Sequence, residues 1–385
     1  MRFPEFHGEW CVSTIGEQFD LYSGNTPSRL NKEHFEGNVN WITSGELKEH
    51  YISDTKEKIS EDAATANNLK LLHPGTFVIA IYGLEADGVR GTGSITCKES
   101  TISQACMAFT QKGDVKNEFL YSWYKKHGNI IGIKYAQGTK QQNLSYDILE
   151  KFHIAYPSQD EQDKLIKFIS LLDERIASQS KLIEDLKKLK SAIIDYAINS
   201  LDTDFAKFGS LYEMAGEGGT PTTSNASFYD NGNIPFIKID DLKQKYLTEN
   251  KDFITELGLQ KSSAWLVPTH SILFSNGATI GEISITTYPV CTKQGILGIV
   301  PKQNIDVEFL YYFMSSSYFK KAVRRIVTEG TMKTAYLKDI NNILCPIPTK
   351  EKQQEIAKMP STLNSKIDFE QSILRECKLN CVKLQ

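Results

Sequence analysis

The sequence lacks the motifs that mark the commonest enzyme active sites. It contains neither a Gly-x-x-x-x-Gly-Lys-Ser/Thr phosphate loop nor a His-Glu-x-x-His zinc motif. A Gly-x-Ser-x-Gly nucleophile elbow is also missing. The seven histidines are scattered and show no metal-ligand spacing. We therefore expect no catalytic residue and no bound metal in this chain.

Long apolar runs are missing as well. No run approaches the ~18 residues of a membrane span, and the opening residues have no apolar signal-peptide core. The seven cysteines are odd in number and include no Cys-x-x-Cys pair, so we expect reduced thiols and a cytoplasmic protein. Cys377 and Cys381 lie four residues apart, and we interpret them as small buried side chains rather than metal ligands.

The chain also lacks an excess of positive charge, because its net charge is −3. Nucleic-acid binders that act alone are usually basic. One basic cluster nevertheless stands out, and a weaker one precedes it in the chain at Lys125, Lys126 and Lys134. On charge alone we interpret both as solvated helix faces. The stronger cluster comprises Lys320, Lys321, Arg324 and Arg325.

What the sequence does contain is a duplication. Gly24–Ser28 returns as Gly218–Thr222, at an offset of 220 − 26 = 194 residues. Glu118–Tyr121 returns unchanged as Glu308–Tyr311, at an offset of 308 − 118 = 190. Matches in one order at a nearly constant offset indicate a duplicated domain, since the units of solenoid repeats are only about 20–50 residues long.

Each half mixes strands with helices. Val39–Ile42 and Ile234–Ile237 are short apolar runs typical of strands, and a proline turn and a second β-rich run follow in both halves. A helix carrying the repeated Glu-Phe-Leu-Tyr sequence comes later. The pattern predicts an α+β fold with mixed strands in each half, since no series of βαβ units is present.

A long amphipathic helix is predicted between the halves. Neither Gly nor Pro occurs from 158 to 200, and apolar residues recur there at alternating steps of four and three, which is typical of a coiled coil. The C-terminal segment repeats this seam 191 residues later, so we expect the two helices to pack antiparallel. Pro360 replaces a seam residue and predicts a kink or a helix restart. The predicted domains are 1–157, 158–200, 201–349 and 350–385. The seam residues of the first helix are Leu165, Ile169, Leu172, Ile176, Gln179, Ile183, Leu186, Lys190, Ile193 and Ala197.

Both halves place polar and basic side chains on predicted loops. Arg and Lys read guanine edges and Asn and Gln read adenine edges, while Ser, Thr and Tyr commonly contact phosphates. Each residue alone is typical of any solvated loop, but a doubled set favours DNA contact. The first-half candidates are Thr26, Ser28, Arg29, Ser44, Tyr82, Arg90, Gln104, Thr139, Lys140, Gln141 and Asn143. The second-half candidates are Thr220, Thr222, Thr223, Lys238, Asn276, Thr292, Lys293, Gln294, Thr331 and Lys333.

Taken in order, these features resemble the specificity subunit of a Type I restriction–modification enzyme. The resemblance rests on the Arg-Phe-Pro-Glu-Phe opening, the repeated Gly-x-Thr-Pro turn, Gly138-Thr139-Lys140-Gln141, and the Pro157, Glu161 and Gln162 series that leads into the long helix. It implies two pseudo-symmetric globular target-recognition domains separated by two long antiparallel coiled-coil helices.

The resemblance also implies a function. Each domain is expected to read one half of a bipartite, asymmetric target in double-stranded DNA. The helices are expected to dock two methyltransferase (modification) subunits, through which motor–nuclease (restriction) subunits join. The DNA adenine methyltransferase, endonuclease and ATPase activities, with S-adenosylmethionine, ATP and Mg, would belong to those partners. The alternative is a non-catalytic coiled-coil scaffold that binds proteins through its two globular ends.

Overall fold

The computed structural model describes residues 2–86, 88–138, 142–327 and 333–384, with side chains up to residue 379. The chain folds into two compact units. Unit 1 comprises Met1–Gln179 with Ile373–Gln385, and unit 2 comprises Ser180–Ser372. Each unit therefore contains one half of the duplicated sequence.

Unit 1 is built on a five-stranded and a three-stranded sheet. Its strands are β1 (Cys11–Thr14), β2 (Phe19–Ser23), β3 (Val39–Ile42), β4 (Tyr51–Ile52), β5 (Lys58–Ile59), β6 (Phe77–Ala80), β7 (Gly93–Thr96), β8 (Ser100–Ile102), β9 (Cys106–Gln111) and β10 (His153–Tyr156). Its helices are α1 (Ile15–Gln18), α2 (Glu61–Ala66), α3 (Asn117–Tyr135) and α4 (Tyr146–Leu149), and α5 (Gln159–Asn199) begins here. The strand orders are β2-β9-β6-β7-β4 and β5-β3-β8, and β1 pairs with β10.

Unit 2 repeats this topology strand for strand. Its strands are β11 (Phe205–Lys207), β12 (Tyr212–Glu217), β13 (Ile234–Ile237), β14 (Tyr246–Leu247), β15 (Asp252–Ile254), β16 (Ile272–Ser275), β17 (Ile283–Thr286), β18 (Cys291–Thr292), β19 (Ile296–Pro301) and β20 (Leu344–Pro346). Its helices are α6 (Glu256–Gln260), α7 (Val307–Ser315), α8 (Ser317–Ile326) and α9 (Leu337–Ile340), and α10 (Lys350–Leu384) begins here. The orders β12-β19-β16-β17-β14 and β15-β13-β18, with the pair β11–β20, match unit 1 when ten is added to each strand number.

Both units mix parallel and antiparallel pairs in the same places. β3–β8 and β4–β7 are parallel in unit 1, and so are β13–β18 and β14–β17 in unit 2. The other paired strands run antiparallel. The predicted duplication and the α+β class are confirmed.

The core of each unit lies between its larger sheet and the helix that carries the repeated tetrapeptide. In unit 1 the central strand β6 is wholly buried, and Phe77 stacks on Phe109 with ring centroids 5.5 Å apart. Tyr121 and Tyr124 of α3 pack edge-on against Phe77, at 5.9 and 5.8 Å. Burial of these large aromatic side chains is the main source of stability for such a layer.

The glycine of the repeated Gly-x-Thr-Pro turn lies directly against another strand in both units. A Cβ atom on Gly24 would lie 1.8 Å from the carbonyl oxygen of Ile102, at the end of β8. A Cβ atom on Gly218 would lie 2.2 Å from the carbonyl oxygen of Thr292, at the end of β18. Both turns therefore need glycine to approach the smaller sheet.

The two long helices carry the predicted seam. All ten seam positions of α5 are buried or half-buried. In unit 2 the end of α5 meets the start of α10 in antiparallel fashion, because Lys190 Nζ donates to Asn364 Oδ1 at 2.9 Å while Ile194 and Ala357 share one apolar cluster. The predicted antiparallel packing is confirmed there.

Pro360 lies inside α10 without ending it, so a helix restart near this residue is the wrong alternative. The proline is buried, and the side chain of the next residue, Ser361, contacts Lys245 and Glu308. These contacts hold the helix where proline removes one backbone hydrogen bond.

Candidate nucleic-acid interface

Three first-half candidates gather beside the end of α3. Tyr82 and Asn143 form a backbone bridge and, with Gln137, line a cleft of about 480 Å³. Arg90 reaches the same segment, because its Nη2 donates to Gln142 Oε1 at 2.7 Å. Asn143 Oδ1 and Arg90 Nε are buried and find no hydrogen-bond partner among the described residues. Buried polar atoms are normally paired, so these two atoms are suited to accept from and donate to a ligand.

Arg29 is already engaged in a different part of unit 1. Its guanidinium makes two 2.8 Å hydrogen bonds to the Glu57 carboxylate and lies 4.8 Å from the centre of the Phe35 ring. The hydrogen bonds to Glu57 raise the pKa of Arg29. Contact with DNA through this side chain would first have to break that pair. Thr26 and Ser28 lie on the same turn, half-buried and exposed respectively.

The remaining first-half candidates are dispersed. Ser44 is half-buried at the start of a short 3₁₀ helix, and Gln104 is exposed in the turn between β8 and β9. Thr139, Lys140 and Gln141 lie outside the described residues.

In unit 2, four candidates gather where β13 and β18 end. Thr220 Oγ1 accepts from the backbone N–H of Gln294 at 3.3 Å, and the N–H of Lys293 donates to the carbonyl of Ile237 at 2.9 Å. Lys238 Nζ lies 2.8 Å from a carboxylate oxygen of Asp252. The side chains of Lys238, Lys293 and Gln294 are exposed, and so are the neighbouring Thr222 and Thr223.

Two second-half candidates need correction. Thr292 is 0% exposed and its Oγ1 donates to the carbonyl of Ile296 at 3.4 Å. Asn276 is 1% exposed and its Nδ2 donates to the carbonyl of Ala335 at 3.2 Å. Because both side chains are enclosed and donate to backbone carbonyls, they offer no donor to DNA, and we remove them as donor candidates. Asn276 Oδ1 is buried and finds no partner among the described residues.

The basic cluster on α8, interpreted from the sequence as a solvated helix face and left out of the candidates, forms an exposed surface. Lys320, Lys321, Arg324 and Arg325 are all exposed, and within residues 142–327 and 333–384 none of them pairs with a carboxylate. The opposite face of α8 buries Phe319. The signal was the Lys-Lys-x-x-Arg-Arg spacing, which places all four cations on one side of a helix.

The start of α8 is fixed by two oxygen acceptors. Ser316 Oγ accepts from the N–H of Phe319 at 3.2 Å, and Asp195 Oδ1 on α5 accepts from the N–H of Ser317 at 2.7 Å. Capping of this kind satisfies helix N–H groups that otherwise lack a partner. The basic surface therefore stands on a helix that is held to the rest of unit 2.

Lys333, an original candidate, lies beside this surface. Lys320, Arg324 and Lys333 line one cleft of about 530 Å³, whose floor is apolar and includes Phe274. Among the described residues that line it, Glu282 is the one acidic side chain. Three cations around one opening suit an anionic ligand such as a phosphate backbone. Thr331, the neighbouring candidate, lies outside the described residues.

The part of the chain that the structure describes has no group of three or more His, Cys, Asp or Glu side chains suited to holding a metal ion. Among the same residues, every helix is too short or too polar to cross a lipid bilayer.

Comparison with known proteins gives one consistent answer. The family model for the Type I restriction modification DNA specificity domain matches twice, over residues 7–188 and 202–379. The Type I restriction enzyme MjaIX specificity subunit of Methanocaldococcus jannaschii is 24% identical, with 93% of this chain and 88% of the relative aligned.

Solved structures share the fold. The S subunit of a Type I restriction–modification system from M. genitalium superposes with a TM-score of 0.60 at 19% identity, covering 100% of this chain and 98% of that one. A chain from a structural study of complex assembly and conformational transition in the type I R-M system gives 0.64 at 14% identity, with 99% and 97% covered. The scaffold alternative is not favoured. The chain belongs to the family of Type I restriction–modification DNA specificity proteins and carries two copies of the family's domain.

Proposed function

We propose that this chain is the DNA sequence-recognition subunit of a Type I restriction–modification complex, in which each unit reads one half of a bipartite, asymmetric target. Two family matches that fall on two units of the same topology support two reading modules. The exposed polar side chains differ between the units, which supports two unlike half-sites.

The exposed basic surface of α8 is the observation that carries this proposal most directly. Lys320, Lys321, Arg324 and Arg325 have the charge and exposure for phosphate contacts, which position a protein on DNA without reading sequence. Lys293, Gln294 and Lys238 in unit 2, and the Tyr82–Asn143 cleft in unit 1, have the donors and acceptors for base edges.

Partner docking is proposed for the long helices. Leu182, Leu189 and Tyr196 recur at seven-residue spacing on α5 and are 42%, 49% and 77% exposed. They form an apolar stripe outside the buried seam, suited to a methyltransferase subunit. The methyltransferase, endonuclease and ATPase activities, with S-adenosylmethionine, ATP and Mg, are assigned to the partner subunits in the cytoplasm. This chain contributes recognition and no chemical step.

A charge-matched pair of variants tests the DNA contact. The chain is assembled with its methyltransferase, and binding to duplex DNA is measured between about 50 and 300 mM salt for the triple Ala variant of Lys320, Lys321 and Arg324. The control replaces the exposed Lys251, Lys261 and Lys302, also in unit 2, and removes the same charge. If all three α8 cations contact phosphate, the slope of log K against log salt becomes shallower by about 2–3. Equal slopes in the two variants would remove α8 from the interface.

A further inference from the structure

A buried glutamine occupies the same place at the start of both long helices. Gln162 lies in the first turn of α5 and is 0% exposed, and Gln353 lies in the first turn of α10 and is 1% exposed. Their separation, 353 − 162 = 191 residues, is the offset of the duplication. Glutamine is rarely buried so completely, and full burial at both positions indicates a specific task.

In unit 1 the Gln162 amide uses its acceptor and both of its donors. Oε1 accepts from the backbone N–H of Lys116 at 2.9 Å. Nε2 donates to the carbonyl of Asp114 at 3.1 Å and to the carbonyl of Pro157 at 3.0 Å. Asp114 and Lys116 lie just before α3, and Pro157 leads into α5, so one side chain joins the loop before α3 to the turn before α5.

Unit 2 repeats this arrangement bond for bond. Gln353 Oε1 accepts from the N–H of Asp306 at 2.7 Å. Its Nε2 donates to the carbonyl of Asn304 at 3.2 Å and to the carbonyl of Pro348 at 2.9 Å. Asn304 and Asp306 immediately precede α7, the counterpart of α3.

The charged contacts around the two glutamines do not repeat. In unit 1, Arg2 makes hydrogen bonds of 2.9 and 2.8 Å to the carboxylate of Glu161, and Lys116 pairs with Asp163. In unit 2 the residue that corresponds to Glu161 is Lys352, which pairs with Glu355 on its own helix. The glutamine is thus the link that both units keep.

The glutamines do not cap the long helices on which they lie. Ser158 Oγ accepts from the N–H of Glu161 at 3.4 Å at the start of α5, and Thr349 Oγ1 accepts from the N–H of Lys352 at 3.4 Å at the start of α10. What each amide adds is a planar link, with two bonds to the loop before α3 or α7 and one bond to the proline before its own long helix. Bonds in three directions fix rotation as well as distance.

We propose that Gln162 and Gln353 are positioning residues for DNA recognition. Each holds its recognition unit at one rotation on its long helix, and this restricts the complex to one gap length between the two half-sites. The inference rests on the proposed function and adds to it the residues that set the spacing.

The test uses the full chain assembled with its methyltransferase. Gln162→Met and Gln353→Met keep the side-chain length and remove all three bonds. The control for Gln353 is Gln354→Met, an exposed glutamine on the same helix turn, and the control for Gln162 is Lys167→Met, an exposed residue farther along α5. Methylation is measured on DNAs with fixed half-sites and gaps one base pair shorter or longer than the natural gap. We expect methylation of the altered gaps, relative to the natural gap, to rise about tenfold in the buried-site variants and to stay constant in the controls.

An equal loss of methylation at every gap length, or an unchanged ratio, would overturn the inference. If a Met variant fails to fold, the uncharged Gln162→Asn or Gln353→Asn replaces it. Its amide is one methylene short of the three partners, so a smaller shift in the same direction is expected, and no shift there would also overturn the inference. Absence of bipartite methylation by the wild-type and control proteins would instead contradict the proposed function.

Discussion

The two units share one topology, yet they stabilise the same junction with different basic side chains. In unit 1, His50 follows the 3₁₀ helix before β4, and its Nε2 lies 2.8 Å from Glu118 Oε2 on α3. The imidazole ring is stacked between Tyr51 and Tyr121, with centroids 4.1 and 4.0 Å away. Its side chain remains 23% exposed.

In unit 2 the corresponding basic residue is Lys245, which is almost completely enclosed. Its ammonium group pairs with Glu308, and it donates to Tyr312 OH at 3.0 Å and to Ser361 Oγ on α10 at 2.9 Å. The ammonium nitrogen also lies 4.8 Å from the centre of the Tyr246 ring. The Lys245 side chain is only 3% exposed.

The difference shows which part of the junction the fold requires. The repeated Glu-Phe-Leu-Tyr sequence supplies the same acid and the same aromatic wall in both units, so either a histidine or a lysine completes the pair. The enclosure of the pair decides the free-energy cost of breaking it, because a buried charge that loses its partner is far more costly than an exposed one.

The largest effect is expected for Lys245→Met. Met keeps most of the side-chain volume but leaves Glu308, 24% exposed, without its cation. We expect a loss of about 3 kcal/mol in unit 2, the lower end for breaking a buried pair because Glu308 can rehydrate. Amide hydrogen exchange in α7 and β14 should accelerate roughly a hundredfold, with α3 and β4 unchanged. Equal acceleration of exchange in the two units would show that the effect of the substitution is not confined to unit 2.

A smaller effect is expected at Ser316, where the units also differ. α3 runs unbroken over 19 residues, whereas unit 2 has α7 and α8 separated at Ser316, whose side chain caps α8. Ser316→Ala should cost about 1 kcal/mol in urea unfolding. Ser315→Ala, the control, removes only a bond from Oγ to the carbonyl of Tyr311 and should cost less. A larger loss for Ser315 would show that the cap is unimportant.

His50→Phe should have a still smaller effect. Phenylalanine keeps the stack between Tyr51 and Tyr121 and removes only the partly exposed contact with Glu118, so about 0.5 kcal/mol is expected. Hydrogen exchange in α3 reports the change. A cost matching that of Lys245→Met would mean that exposure does not separate the two junctions.

The exposure of the cysteines also differs between the units, and it affects thiol reactivity rather than stability. Cys11 and Cys97 of unit 1 are exposed, whereas Cys291 of unit 2 is buried. Burial raises the pKa of Cys106 to about 12 and that of Cys291 to about 11. Maleimide at about pH 7.5 should therefore label Cys11 and Cys97 and leave Cys106 and Cys291 unmodified until the chain is denatured. Peptide mapping of the labelled chain checks this, and rapid labelling of Cys291 would refute it.

Much of the architecture followed from patterns local in sequence. The offset of about 190 residues predicted the duplication, and the seven-residue repeat predicted the seam of α5, because periodicity and order survive without knowledge of tertiary contacts. The predicted helix restart at Pro360 was wrong. Ser361 contacts residues that are distant in sequence, and these contacts support this turn of α10.

The candidate site was less predictable. Thr292 and Asn276 look like exposed loop residues in sequence, yet they bond to the carbonyls of Ile296 and Ala335 in the interior. The α8 cations were visible as charge, but whether carboxylates neutralise them depends on folding. The roles of Gln162 and Gln353 depend on loops about 46 residues away in sequence, a pairing that no local pattern encodes.

Methylation profiling of DNA modified by the assembled complex is the decisive experiment for recognition by two units. We expect one bipartite motif, with two unlike half-sites separated by a fixed number of unspecified bases. The triple α8 variant should lower methylation of that motif without altering its bases. A single uninterrupted motif, or methylation that does not depend on both half-sites, would contradict the assignment of one half-site to each unit.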